Sequence, residues 1–185
     1  MDDTEQLLTA VAKTAHTAPR WVKYALPATL PAEDVARAEA ALGFTLPPLL
    51  TALHTRIANG GFGPAYGLLP LTGDPAPDGE RPAVAQYLAH RRSASQDGEW
   101  PWPEGVLPIC SLGCGMYSCV DCLTDRTTVL LFEPNAGDPQ HAWYVEQPDL
   151  ASWLRTWLDG AGWYAEDADD EAMDLKPWPD YNDRI

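Results

Sequence analysis

The chain has 185 residues, 45% of them hydrophobic, with eight Trp and 18 Pro, which suits one well-buried core with many loops and excludes wholesale disorder. A formal net charge of −15 and a pI near 4.4 repel phosphate backbones and anionic lipid, so nucleic acid and membrane surfaces are excluded as expected partners, and a basic protein partner or simple solubility fits better. The start, Met1-Asp2-Asp3-Thr4-Glu5, lacks the basic-then-apolar order of a signal peptide, and no apolar stretch approaches the ~20 residues of a membrane-spanning helix, so the expected location is cytoplasmic, with reduced cysteines.

Leu7, Leu8, Val11 and Ala15 recur on one face of a predicted first helix, which must end before Pro19. Trp21-Val22-Lys23-Tyr24 reads as a loop or short strand packing aromatic rings on the core. Pro31-Ala32-Glu33-Asp34 opens a second helix, its acidic first turn complementing the positive end of the helix dipole. Val35, Ala38 and Leu42 line its buried side. The run Leu42-Gly43-Phe44-Thr45-Leu46-Pro47-Pro48 then closes that helix at Gly43 and opens a third at the prolines. Leu49, Leu50, Leu53 and Ile57 recur at helical spacing, and Asn59-Gly60-Gly61, residues suited to positive φ, stop the helix. Tyr66 to Leu71 is predicted as a short strand, residues 72 to 81 as a polar loop, and about 82 to 95 as a fourth helix carrying Arg91-Arg92 near its end, closed by Asp97-Gly98.

The period then changes. Val106 to Cys110, Met116 to Cys122, Thr127 to Phe132 and Ala142 to Val145 are short β-branched or aromatic runs separated by turn residues, predicted as consecutive antiparallel strands. Leu150, Trp153, Leu154, Trp157 and Leu158 form one apolar stripe of a closing helix. Residues 165 to 185 hold eight acidic and two basic residues, together with Trp178 and Tyr181. The expected organisation is a single domain over 1–164 followed by an acidic C-terminal tail over 165–185, with no internal repeat.

This ordered set resembles the SUKH superfamily, which includes fungal cell-wall-synthesis regulators and many bacterial immunity proteins. The residues carrying the resemblance are Glu39 with Leu42-Gly43, Leu46-Pro47, Asn59-Gly60-Gly61, Leu107-Pro108-Ile109, the Gly115 to Asp121 hairpin, Phe132, and Leu150-Trp153-Leu154-Leu158. Each is common alone, so the order over roughly residues 30 to 160 carries the likeness. It implies an α+β fold: a mixed, largely antiparallel sheet packed by helices, with helices in the N-terminal half and a closing C-terminal helix. It supplies no general catalytic motif. The cysteine-rich hairpin and the acidic tail depart from the usual pattern.

Cys110, Cys114, Cys119 and Cys122 are candidate zinc ligands, since four thiolates can close a tetrahedral site. Their C-x3-C-x4-C-x2-C spacing is not a pair of standard knuckles, and Cys119 and Cys122 would face opposite sides of an unbroken strand. Buried small residues is the preferred reading, so no metal or cofactor is expected. His16, His54, His90 and His141 are scattered, with His54 expected to be a partly exposed structural residue. No Ser sits in a nucleophile elbow, no HExxH occurs, and Gly60-Gly61 lacks the Gly-Lys-Ser/Thr of a phosphate loop. Cys114 lies in a glycine turn without an adjacent His or Lys to activate it as a nucleophile. Trp100, Trp102 and Trp163 read as core covers rather than exposed anchors.

The expectation is therefore a non-enzymatic protein-binding domain, an immunity protein that neutralises a bacterial toxin, such as a basic nuclease, by occluding its active site. The Ala, Pro, Asp and Arg usage resembles that of a GC-rich bacterial genome. Glu166, Asp167, Asp169, Asp170 and Glu171 are the partner-contact candidates, with a solvated terminal charge run as the competing reading. Gly43, Leu46, Pro47, Asn59, Gly60 and Gly61 are structural. The alternatives are a regulatory or scaffold protein without a toxin partner, and an enzyme or metal protein built on the cysteine hairpin.

Overall fold

Proline starts and glycine stops set the helical half of the molecule, seen here in a computed structural model that describes residues 3–17, 25–97, 100–162 and 175–185. Helix α1 spans Asp3–Thr17 and buries Leu7, Leu8, Val11 and Ala15. Helix α2, Ala32–Leu42, follows Pro31, buries Val35, Ala38 and Leu42, and ends on Gly43 at φ 83°. Helix α3, Pro48–Arg56, buries Leu50 and Leu53. Helix α4 spans Ala83–Asp97. Its first N–H groups lack partners within the helix, and the carbonyls of Pro70 and Leu71 accept from Ala83 and Val84 at 2.8 and 3.2 Å.

The second half is a meander. Strands β1 (Val106–Gly113), β2 (Met116–Asp121), β3 (Val129–Phe132), β4 (Trp143–Gln147) and β5 (Lys176–Pro177) lie in sequence order in one sheet. Every pairing among them is antiparallel. Helix α5, Leu150–Leu158, is capped by Asp149, whose side chain accepts from the Ser152 N–H, and buries Leu150, Trp153 and Leu154. It packs on β4, while α1 packs on α5 and α3, and α4 packs on β1. Leu50, Leu53, Leu107, Ile109, Leu130, Trp153 and Leu154 are fully buried in the shared core. The fold is α+β, with helices first and a closing helix after β4.

Several local expectations are corrected. Tyr66 to Leu71 is not a strand but makes an isolated bridge, Leu68 to Cys110. A register shift between Pro108 and Cys110 leaves Ile109 unpaired with β2, and its carbonyl accepts from the Leu69 N–H at 2.8 Å. Thr127 belongs to a turn with φ 53°, so β3 begins at Val129. Residues 175–185 are built into the fold: β5 pairs with β4, and Trp178 and Tyr181 are buried. Trp21 to Tyr24, Trp163 and the carboxylates from Glu166 to Glu171 lie outside the described residues.

Candidate binding groove

The glycine-proline series positions the segments around a groove, and Asn59 and Gly61 line it. The Gly43 N–H donates to the Glu39 carbonyl at 2.9 Å, and the Glu39 carboxylate accepts from the Leu46 N–H at 2.8 Å. That clasp seats buried Leu46 and Pro47 and aims α3. At the far end of α3, Gly60 and Gly61 adopt φ 87° and 79°. A Cβ on Gly60 would lie 2.6 Å from the Leu68 carbonyl oxygen and 2.7 Å from the Pro70 nitrogen, so only glycine lets these two backbone segments meet. Gly61 N–H donates to Leu68 O, and Leu68 N–H to Phe62 O, at 2.8 and 2.7 Å.

Asn59 does not use positive φ, contrary to the sequence-based expectation; its side chain does the work. Its Oδ1 accepts from the Leu71 N–H at 2.8 Å, its Nδ2 donates to Thr72 O at 2.9 Å, and its backbone N–H donates to Ala28 O at 3.1 Å. One residue thus joins residues 28, 71 and 72. Because Asn59 Oδ1 is an acceptor, His54 Nδ1, 3.2 Å away, must carry the proton, leaving a bare Nε2. His54 is buried at 2% exposure rather than partly exposed. Burial holds its pKa at about 4, against a smaller upward pull from Asn59.

Between the 25–30 segment, α2 and the proline-rich 70–77 loop runs a groove of two lobes, about 560 and 1330 Å³. Pro27, Pro70, Ala76 and Pro77 line both lobes. The first also touches Tyr66, 50% exposed, and Asp78; the second touches Asp34, Arg37 and Asp74. Arg37 is engaged with Asp34, while Asp74 and Asp78 are exposed. The groove is apolar with an acidic rim.

Ser111, on the wall of the first lobe, opens a directional hydrogen-bond chain. Ser111 Oγ and Tyr117 OH donate to the two oxygens of Glu80 at 3.0 and 3.1 Å. Gln86 Nε2 donates to Tyr117 OH at 3.1 Å and to His90 Nε2 at 2.8 Å. His90 must then be neutral with its proton on Nδ1, and burial, with Arg81 adding a smaller effect, holds its pKa at about 4. Its ring stacks on buried Trp102 at 3.9 Å. Burial, then the Glu80 charge, pushes the Tyr117 phenol up, so it stays protonated. This run of hydrogen bonds holds its protons in place from Ser111 to His90. Sequence reading missed it; only the Gln86/His90 spacing of four on α4 was a local signal.

Cys110, Cys119 and Cys122 lie near one another, and Cys119 feels both of the others. Cys110 and Cys119 are fully buried and Cys114 is exposed in its turn at φ 52°. Cys122 lies just past β2, so the opposite-face argument does not apply. Burial raises the thiols of Cys110, Cys119 and Cys122, with Glu146 adding to the first two and Asp121 to the third. Thiols held protonated are poor nucleophiles. Among the described residues, no group of three or more His, Cys, Asp or Glu is placed to hold a metal ion. His141 is exposed beside Asp138 at 2.8 Å, His16 sits in the last turn of α1, and Trp100 is half-buried.

A search of curated proteins found no match. The SMI1 / KNR4 family (SUKH-1) model matches residues 29–156, a span that holds α2 to α4, β1 to β4, most of α5, and the whole glycine-proline series from Gly43 to Gly61. The chain belongs to the SMI1 / KNR4 family (SUKH-1).

Proposed function

We propose that this chain is a non-enzymatic protein-binding domain, an immunity protein that neutralises a toxin by direct binding. Family membership over residues 29–156 carries the reading, because the superfamily resemblance includes many bacterial immunity proteins. The charge of −15 narrows the partner to a basic protein, and a nuclease domain fits because its own substrate is an anion. The groove supplies recessed apolar surface, Asp74 and Asp78 supply rim charge, and Glu166, Asp167, Asp169, Asp170 and Glu171 add to the attraction. Co-expression with a toxin encoded beside its gene tests the assignment. The expected result is rescue of growth and co-purification of the pair; expression of both proteins with neither rescue nor co-purification would remove the immunity function and favour a regulatory or scaffold role.

A further inference from the structure

We propose that the face formed by Trp143, the 101–105 segment and Asp121 is a peptide-binding site, occupied in this chain by its own C-terminal segment 178–184 and able to take the same segment from a second copy. This does not rest on the immunity reading. The receptor residues all lie within residues 29–156, whereas the occupant lies beyond them. Fifteen residues, 163–177, lie between Gly162 and the occupant in the sequence.

Anchors hold the segment more than strand pairing does. β5 has two residues, both exposed, and Pro177 has no N–H to donate. Its contacts instead resemble those of a bound peptide. The Trp178 N–H donates to Trp143 O at 3.0 Å, and the Trp178 and Tyr181 rings each sit 6.3 Å from the Trp143 ring. Tyr181 OH donates to Pro101 O at 3.4 Å.

Arg184 supplies the specificity. Its Nη2 donates to both oxygens of Asp121 at 2.9 and 2.7 Å, and its Nη1 donates to Glu104 O at 3.1 Å. The Glu104 N–H in turn donates to Arg184 O at 2.9 Å. Asp121 is 2% exposed, so loss of the guanidinium leaves a buried carboxylate with, among the described residues, the Leu123 N–H and the Thr124 hydroxyl as its side-chain hydrogen-bond partners. The site therefore selects an aromatic, a second aromatic three residues on, and an arginine three residues after that.

The test uses the full chain with a protease recognition sequence inserted between Ala168 and Asp169. After cutting, the C-terminal fragment should co-elute with the body, and a labelled synthetic peptide of residues 175–185 should exchange into the site. The same peptide carrying Arg184→Gln should compete at least tenfold more weakly. If the fragment dissociates from a folded body and the peptide does not bind, no such site exists. If the body unfolds on cutting, or if both peptides compete equally, the segment is an inseparable or nonspecific part of the core and the proposal fails as well.

Discussion

The two flanks of the β1–β4 meander are met by short segments held in opposite ways. At the β1 edge, Leu68 and Leu69 are fixed by backbone hydrogen bonds, by Gly60 and by the Asn59 side chain. Beside β4, residues 176–184 are fixed by two aromatic rings and a part-buried Arg184–Asp121 pair. Open edges invite pairing with other chains, and each segment covers part of one flank of the β1–β4 meander. The first cover is threaded between α3 and α4 and cannot leave without unfolding the domain. The second lies at the C-terminal end of the chain, and its loss has a ceiling, the free energy of docking one segment.

The largest test of this difference is Gly60→Ala. Positive φ for a residue with Cβ costs about 1–2 kcal/mol, and backbone contact at 2.6 Å adds an overpacking cost of about 1–3 kcal/mol. A loss of ~3 kcal/mol corresponds to a fall in Tm of roughly 6–12 °C for a chain of this size, read by thermal denaturation. A fall under ~2 °C would mean that the two backbone segments need not touch.

Trp178→Ala comes next, at ~3 kcal/mol, the low end for truncating a buried Trp. Combining it with Arg184→Gln should add less than the sum of the two, because each change spends the same docking free energy. Denaturant titration of the double variant checks this; full additivity would show that the C-terminal cover is as integral as the β1 cover.

Acid separates the edges by a comparable amount. The His54 pKa is about 4 in the folded chain, against ~6.5 when unfolded. Between those values the unfolded chain binds the extra proton, so this contribution is complete above pH 6.5 and is lost as pH falls toward 4, to roughly 3 kcal/mol. The β1 cover, tied to His54 through Asn59, should loosen first. Histidine NMR titration with amide exchange at Leu69 and Leu71 would show it, and a His54 that titrates near 6.5 would refute it. Asn59→Ala, which leaves the buried Leu71 N–H without its acceptor, has the smallest effect of the four, about 2 kcal/mol.

The same contrast explains what could be read beforehand. The β1 cover is made by residues whose conformations are local: Gly43 ends α2, Pro47 and Pro48 open α3, and Gly60 and Gly61 turn the chain, so short windows of sequence show them. What those windows hide is the use of Asn59, because its targets at residues 71 and 72 are set by tertiary contact. The C-terminal cover is legible as a charge imbalance with two aromatic residues in it, Trp178 and Tyr181. Arg184 meets Asp121 63 positions away and Tyr181 meets Pro101 80 positions away, and no period links them. The carboxylates of the intervening stretch made the whole end read as a tail, although Trp178 and Tyr181 already stood out as residues that solvent does not favour. The Glu80–Tyr117 contact, 37 positions apart, was hidden for the same reason.

The central claim, capture of a basic protein by an acidic surface, is tested most directly by the association rate of the full chain with the toxin recovered by co-expression, measured at low and high salt. Screening shortens from ~10 Å at 0.1 M to ~3 Å at 1 M, so the account predicts at least a tenfold fall in association rate with a smaller change in dissociation rate. An association rate indifferent to salt, or no complex at either ionic strength, would contradict it.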